Sequence, residues 1–318
     1  MIKHMFAGAI TPNGFVDFFS HIMPAEKAKT RYLLKGSSGS GKSTFMKKIA
    51  AEFEAAGIAT EHFHCSNDPE SLDALAVPQN GLCITDATAP HSHDPQFPAV
   101  IDKIIDFANF LDAQKLAPHL NELKSLTHAK KLQNEKTAAY LAAAGILYLA
   151  ENKASDSATE KHHLHEHVTE WLKRLSIHNT FEPFGTDRKL FLSAVTPDGY
   201  VNFAADYFAD CKLQCLFQKF GTASHCFLAE LKNRVNAAGF NTESFHNPIA
   251  PERLDYLHLP QLKIAFSATT GNLPSAEPFN AVLSAAINSM RQSKIHHAKL
   301  EEIYANAMDF NGVERIVI

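Results

Sequence analysis

The amino-acid sequence predicts an α/β protein in which one sheet-and-helix unit occurs twice. Three observations carry the prediction. A short apolar strand, Arg31-Tyr-Leu-Leu-Lys35, runs into a loop rich in glycine and serine, after which Phe45, Ile49 and Phe53 recur at helical spacing. Two blocks of the chain are related to two later blocks at offsets of 182 and 185 residues. Between the copies, from about 115 to 180, the pattern is helical and rich in Ala, Lys, Glu and His.

The strand, loop and helix come first. Residues 36–44 are Gly36, Ser37, Ser38, Gly39, Ser40, Gly41, Lys42, Ser43 and Thr44, a full match to G-x-x-x-x-G-K-[ST] in the strand-to-helix setting this phosphate-binding loop requires. Glycines let the backbone turn so that successive amides face an anion, and the helix start adds its positive dipole end. Lys42 is expected to reach the β- and γ-phosphates of ATP and the Ser43 hydroxyl to hold Mg²⁺. The competing reading is a Gly/Ser turn without ligand. Gly81-Leu-Cys-Ile-Thr-Asp86 reads as a buried strand ending in an acid, which makes Asp86 the expected second metal-side residue, against a role as a loop cap. Lys42 and Asp86 are thus the expected catalytic pair.

The loop Ala87–Asp94 follows that strand, bringing His91, His93 and Asp94 to the same sheet edge as His62, His64 and Cys65. A transition-metal site there is the lesser reading, because the spacing matches no standard zinc pattern. His64 has a histidine, His246, at its repeat position and is better explained by packing. His163 and His167 share a helix face, for which a solvated helix is the simpler account.

The repeat is read by laying the chain over itself. Residues 56–75, AGIATEHFHCSNDPESLDAL, match 238–257, AGFNTESFHNPIAPERLDYL, at 11 of 20 positions without a gap. Upstream, FAGAITPNGFVDF from Phe6 aligns with FLSAVTPDGYVNF from Phe191. Two matches in the same order indicate duplication of a whole unit, since solenoid repeats have periods of about 20–50 residues. Pro183, Gly185 and Asp187 mark the start of the second copy. In that copy Gly41 becomes Ala223, Lys42 becomes Ser224, Ser43 becomes His225 and Asp86 becomes Ala268. The second copy has therefore lost both charges that manage phosphate and metal. The expected layout is a P-loop NTPase-type domain over 1–115, a helical insertion or linker over 116–182, and a degenerate P-loop-like domain over 183–318, both domains built on parallel sheets.

Composition bounds the partners. The formal net charge of −4 supplies no general pull towards nucleic acid, and none is expected as a partner. The longest apolar run, Ala138–Ala150, has 13 residues and falls short of a membrane span. The N-terminal residues show no secretory pattern, and five cysteines without framework spacing suit a reducing cytoplasm, the expected location.

The segments Phe6–Phe18, Leu34–Ile49 and Asp86–His91 together resemble a bacterial family of tandem P-loop proteins labelled ATPase or nucleotide-kinase-like. The resemblance runs along both halves and is weakest over the middle helices; Ser38 and Ser40 stand where that family often has Pro and Thr. The resemblance supplies no settled substrate and does not decide the reaction; ATP and Mg²⁺ are the ligands expected from the loop and Asp86. Arginine placement narrows the chemistry. Between Arg31 and Arg174 the chain has no arginine, whereas small-nucleotide kinases use several to bind the acceptor phosphate. An arginine from the same chain would have to be Arg188, Arg234 or Arg253. The expected function is Mg-dependent binding and hydrolysis of a nucleoside triphosphate by the first copy, with the second as scaffold or regulator. Two alternatives stay open: a non-enzymatic nucleotide-dependent interaction switch with a protein partner, and phosphotransfer to an uncharged small molecule.

Overall fold

In the computed structural model, which describes residues 2–24, 26–89, 91, 93–154 (backbone only over 152–154), 164–178, 183–216 and 223–316, the first third of the chain forms a six-stranded mixed sheet. Its strands are β1 (Ile2–Met5), β4 (Thr30–Lys35), β5 (Thr60–Cys65), β6 (Asp68–Val77), β7 (Leu82–Asp86) and β8 (Asp102–Asp106), in the order β1-β5-β6-β7-β4-β8. A hairpin of β2 (Gly8–Thr11) and β3 (Gly14–Asp17) stands apart from it. All neighbours run parallel except the two pairings of β6. This departs from the parallel sheet expected. Only two residues, Ser66 and Asn67, separate β5 from β6, and a strand returning through so short a turn runs antiparallel. Helix α1 (Lys42–Ala55) covers one face, burying Phe45, Met46 and Ile49 with Leu34, Leu75 and Ile84.

After α2 (Leu120–Ala154) and α3 (Leu164–Arg174) the pattern recurs. Strands β9 (Asp187–Leu190), β12 (Lys212–Cys215), β13 (Thr242–His246), β14 (Leu254–Leu259) and β15 (Ile264–Ser267) are ordered β9-β13-β14-β15-β12, beside a hairpin of β10 (Ser193–Thr196) and β11 (Gly199–Asn202). Order and strand senses repeat those of β1-β5-β6-β7-β4. Even the register repeats at an offset of 182: Leu33 pairs with Thr85, and Cys215 with Ser267. Helix α4 (Ser224–Ala237) has the same length as α1, 14 residues. It shares an apolar cluster with Leu164, Val168 and Leu172 of α3.

The two sheets face one another across a single core, with Met5, Phe63 and Ala74 from the first and Leu190, Phe245 and Tyr256 from the second. The join is reciprocal. Phe6 and Phe191, which occupy equivalent positions, exchange backbone hydrogen bonds of 2.9 and 3.0 Å. Phe18 lies 4.9 Å from the His246 ring, and Phe203 5.0 Å from the His64 ring. His64 and His246 bond the carbonyls of Pro69 and Pro251 at 2.6 and 2.7 Å. Such mutual contacts are those of a two-fold interface, made here within one chain. At its edge Arg188 places all five guanidinium N–H groups, two on the carbonyls of His21 and Ile22 and three on Glu61 and Glu243.

Helix α2 and the final long helix, α5 (Glu277–Ala305), form an antiparallel pair, as the contacts of Lys130 with His297, Asn134 with Ser293 and Tyr148 with Phe279 show. The segment between the copies therefore packs on the C-terminal helix. One end of the pair is dry, where Leu141, Ala144, Tyr148, Phe279 and Leu283 cluster with Ile249 and Ala250. The other end carries Lys130, Lys294, His297 and Glu301 and lies over the 36–41 loop. Among the described residues no helix is long and apolar enough to cross a membrane, and all five cysteines are free.

Candidate functional site

Strand β4 delivers the 36–41 loop and its parallel neighbour β7 delivers Asp86, with Leu34 opposite Asp86 in the register. Loop and acid thus emerge side by side. Gly39 and Gly41 have φ of +72° and +89°, the left-handed region in which a side chain costs about 1–2 kcal/mol. Gly41 caps α1 and has no side chain to take the first-turn amides, which lack intrahelical acceptors. Lys42 is buried. Its Nζ donates to the carbonyls of Ser37 (2.7 Å) and Gly36 (3.3 Å) and lies 3.5 Å from Asp86 Oδ2. Asp86 Oδ1 accepts the Thr88 N–H at 2.8 Å, and Ser43 Oγ accepts the Leu72 N–H at 3.0 Å.

These residues line a cleft of about 350 Å³ that includes Ser38 to Thr44, Asp73, Asp86 and His91. Its roof is the wet end of the helix pair, with Lys130, His297 and Glu301, and Phe310 beyond it. The loop and roof touch closely. A Cβ on Gly39 would sit 2.8 Å from the Glu301 Cα and overlap its carbonyl, and one on Gly41 would lie 3.3 Å from the Phe310 ring. Lys294 Nζ bridges to Asp68 Oδ1 at 2.8 Å across the rim.

The remaining sequence-derived candidates divide. His91 and Cys65 line the cleft, and burial raises the Cys65 thiol well above its ordinary range. His91 lies between Phe15 and Phe19, at centroid distances of 5.0 and 4.8 Å, and its Nε2 is 3.7 Å from Asp73 Oδ2. His93 bonds Thr85 Oγ1 at 3.1 Å and, with Asp94, lines a smaller cavity of about 160 Å³ that His91 also borders. Arg31 reaches that cavity already paired with Asp102 at 2.7 and 3.0 Å. His62 bonds Glu54, while His64 joins the seam between the sheets, where burial lowers it to about 4. Among the described residues no three His, Cys, Asp or Glu side chains converge as a metal-binding group. His163 lies outside the described residues, and His167 pairs with Glu170.

None of the three candidate arginines lines the cleft. Arg188 is in the seam, Arg234 bonds Thr169, and the Arg253 backbone follows the turn at Ala250. The cleft instead contains residues that sequence reasoning passed over. Asp73 is buried beside Asp86; burial raises its carboxyl to about 6, against the opposing pull of His91. Its signal was present, because Asp73 and Asp255 occupy the same place in the internal repeat. Lys130 and His297 had no local signal.

The equivalent place in the second half is built differently. Ala268 follows β15, and its N–H bonds the Asp255 carbonyl at 2.8 Å. His225 Nδ1 is 2.7 Å from the Leu254 carbonyl, the position that Ser43 meets at Leu72 in the first half. Gly221 and Thr222 lie outside the described residues. The turn at Asn247–Ala250, which corresponds to Cys65–Asp68 of the cleft, is buried under the dry end of the helix pair. Comparison of the chain with protein-family models, with curated proteins and with solved structures finds no match.

Proposed function

We propose that the first half binds a nucleoside triphosphate with Mg²⁺ in the 350 Å³ cleft and hydrolyses it slowly, as a P-loop ATPase whose second half is a degenerate copy serving as scaffold or regulator. One observation carries the reading: Lys42, the glycine loop and Asp86 share one cleft, 3.5 Å separating the lysine from the acid. In the ligand-bound state Lys42 exchanges loop carbonyls for phosphate oxygens. The donor set at the loop's end suits Mg²⁺, a hard cation that takes one or two protein oxygens and keeps waters and phosphates for the rest. Ser43 and Asp86 would hold it, and it supplies charge for the β- and γ-phosphate oxygens. Hydrolysis joins a water oxygen to the terminal phosphorus and breaks its bond to the bridging oxygen, which leaves with the electron pair on the diphosphate. The water's proton ends on phosphate or solvent.

Thermal melts and phosphate release test the reading. With Mg·ATP at 100 times its dissociation constant the wild type gains roughly 2.7 kcal/mol. Lys42→Ala abolishes that gain. Asp86→Asn keeps the shape and loses turnover much more than affinity. An unchanged ATP-induced shift in the lysine variant refutes the site.

One observation favours a second reading, a nucleotide-dependent switch. The roof over the loop belongs to helices whose other end is packed both on the β2–β3 hairpin, through Ile10 and Phe15, and on the second half, through Val195, Ile249 and Ala250, so ligand in the cleft bears on a contact that joins the halves. Steady phosphate release separates the ATPase from a switch that binds without turnover.

A further inference from the structure

Phosphate cleavage needs positive charge on the outer phosphate oxygens, and among the described residues no arginine lines the cleft. The lysines there are not equivalent. Lys42 is turned onto Asp86 and the loop carbonyls, and Lys294 at the rim is committed to Asp68. Lys47 is exposed on α1. Lys130 is half-buried, and its Nζ donates to His297 Nδ1 at 2.8 Å. Burial, followed by the Lys130 charge, lowers His297 to about 4, so the imidazole is neutral at pH 7 and accepts the bond without cancelling the lysine's charge. Its Nε2 lies 3.5 Å from Glu301 Oε1, and its Nδ1 is 3.4 Å from Ser38 Oγ of the loop. Among the described residues Lys130 makes no ion pair within 4.0 Å. Its surroundings desolvate the cation and lower its pKa, a state that an incoming anion relieves.

We propose that Lys130, delivered by α2 and held in place by His297 of α5, is the cation that receives the outermost phosphate, so that the cleft distinguishes nucleoside triphosphates from diphosphates. The inference rests on the reading of the cleft as a nucleotide site. It gives the middle helix, 90 residues from the loop, a direct part in that site. The loop amides serve the phosphates that di- and triphosphate share and Lys42 spans the β- and γ-phosphates, whereas Lys130 serves the outermost one alone.

The test compares Mg·ATP and Mg·ADP on the full chain by calorimetry. Lys130→Met is expected to weaken ATP binding roughly ten- to a hundredfold, the range for a charge-assisted hydrogen bond, while ADP affinity stays within about twofold. Lys130→Arg keeps the charge and is expected to retain the preference for ATP. An unchanged ATP-to-ADP ratio in Lys130→Met, or equal losses for both nucleotides, overturns the assignment and leaves the nucleotide site standing. Wild type that binds neither nucleotide overturns both. A second measurement avoids any folding defect of the variant: on wild type, Mg·ATP is expected to protect Lys130 from acetic anhydride several-fold and Mg·ADP is not. Equal labelling of Lys130 under the two nucleotides counts against the proposal in the same way.

Discussion

Replacing Arg188 by alanine strips the seam between the sheets of its cation. The guanidinium makes five hydrogen bonds there, at 2.6 to 3.1 Å, to two carboxylates and two main-chain carbonyls. Glu61 and Glu243 are only 11% and 13% exposed, so water cannot replace the lost partner fully. The two acids differ in what remains. Although burial pushes the Glu243 carboxyl up, the His258 bond and the Arg188 charge hold it well below the usual carboxylate range, and it keeps His258 (2.7 Å) and Tyr207 (2.8 Å). Glu61 loses both of its guanidinium bonds. Breaking a buried ion pair from one side costs about 3–5 kcal/mol, and that loss is expected for Arg188→Ala. Much of it should return in Arg188→Met/Glu61→Gln, which removes the stranded charge as well. Urea unfolding followed by Trp171, the single tryptophan, and by far-UV circular dichroism measures both variants. A loss below about 1 kcal/mol for Arg188→Ala, or a double variant no more stable than the single, would refute the reasoning.

Two further outcomes follow from the asymmetry of the halves and from a buried acid. A non-hydrolysable ATP analogue is expected to bind at one site per chain, because each missing charge-assisted contact at Ser224 and Ala268 is worth about 1.5–3 kcal/mol; a stoichiometry of two with similar affinities contradicts this. Burial raises Asp255 to about 7 from an ordinary 3.8, so between those values the unfolded chain releases a proton that the folded chain keeps, and stability falls as pH rises. Asp255→Asn cannot ionise and still accepts from Asn247, so its stability relative to wild type should be near zero at pH 4 and a few kcal/mol greater by pH 8. A difference that does not change with pH shows that Asp255 is not the titrating group.

What could be read in the sequence was local or self-similar. The strand, loop and helix over 31–53 announce themselves through composition and period, and the structure sets β4 and α1 at Thr30–Lys35 and Lys42–Ala55. The internal repeat implied one unit built twice; the structure adds what the repeat did not say, that five strands of each sheet share one order, with β8 extra in the first, and that Leu33 pairs with Thr85 as Cys215 does with Ser267. The direction of β6 was not read, since a run such as Leu72–Val77 is as apolar in an antiparallel strand as in a parallel one. Asp73 stood in the repeat as a charge inside an apolar run, which was sufficient signal to single it out. Lys130 and His297 were out of reach for a different reason. They are 167 positions apart and meet only because two helices pair, and neither position differs in pattern from other polar residues on its helix.

Helices α2 and α5 are mounted unequally. To shift the end around Tyr148 and Phe279, buried apolar surface has to separate. At the other end the contacts with the loop are polar, and one of them, between Lys294 and Asp68, joins side chains 39% and 25% exposed, a kind of bridge that contributes little. Just past α5, however, the chain is anchored: Met308 and Val313 join Leu34, Phe45 and Phe107 in an apolar cluster, and the Asp112 and Asp309 N–H groups bond the Ala307 and Phe110 carbonyls at 2.8 Å. A body held at both ends is a brace. From Tyr148 to Lys130 it runs about 27 Å at 1.5 Å per residue. Glu301, between the two anchorages, is thus kept against Gly39 by packing that lies beyond the cleft, and the clearance above the loop is set by how the brace is seated.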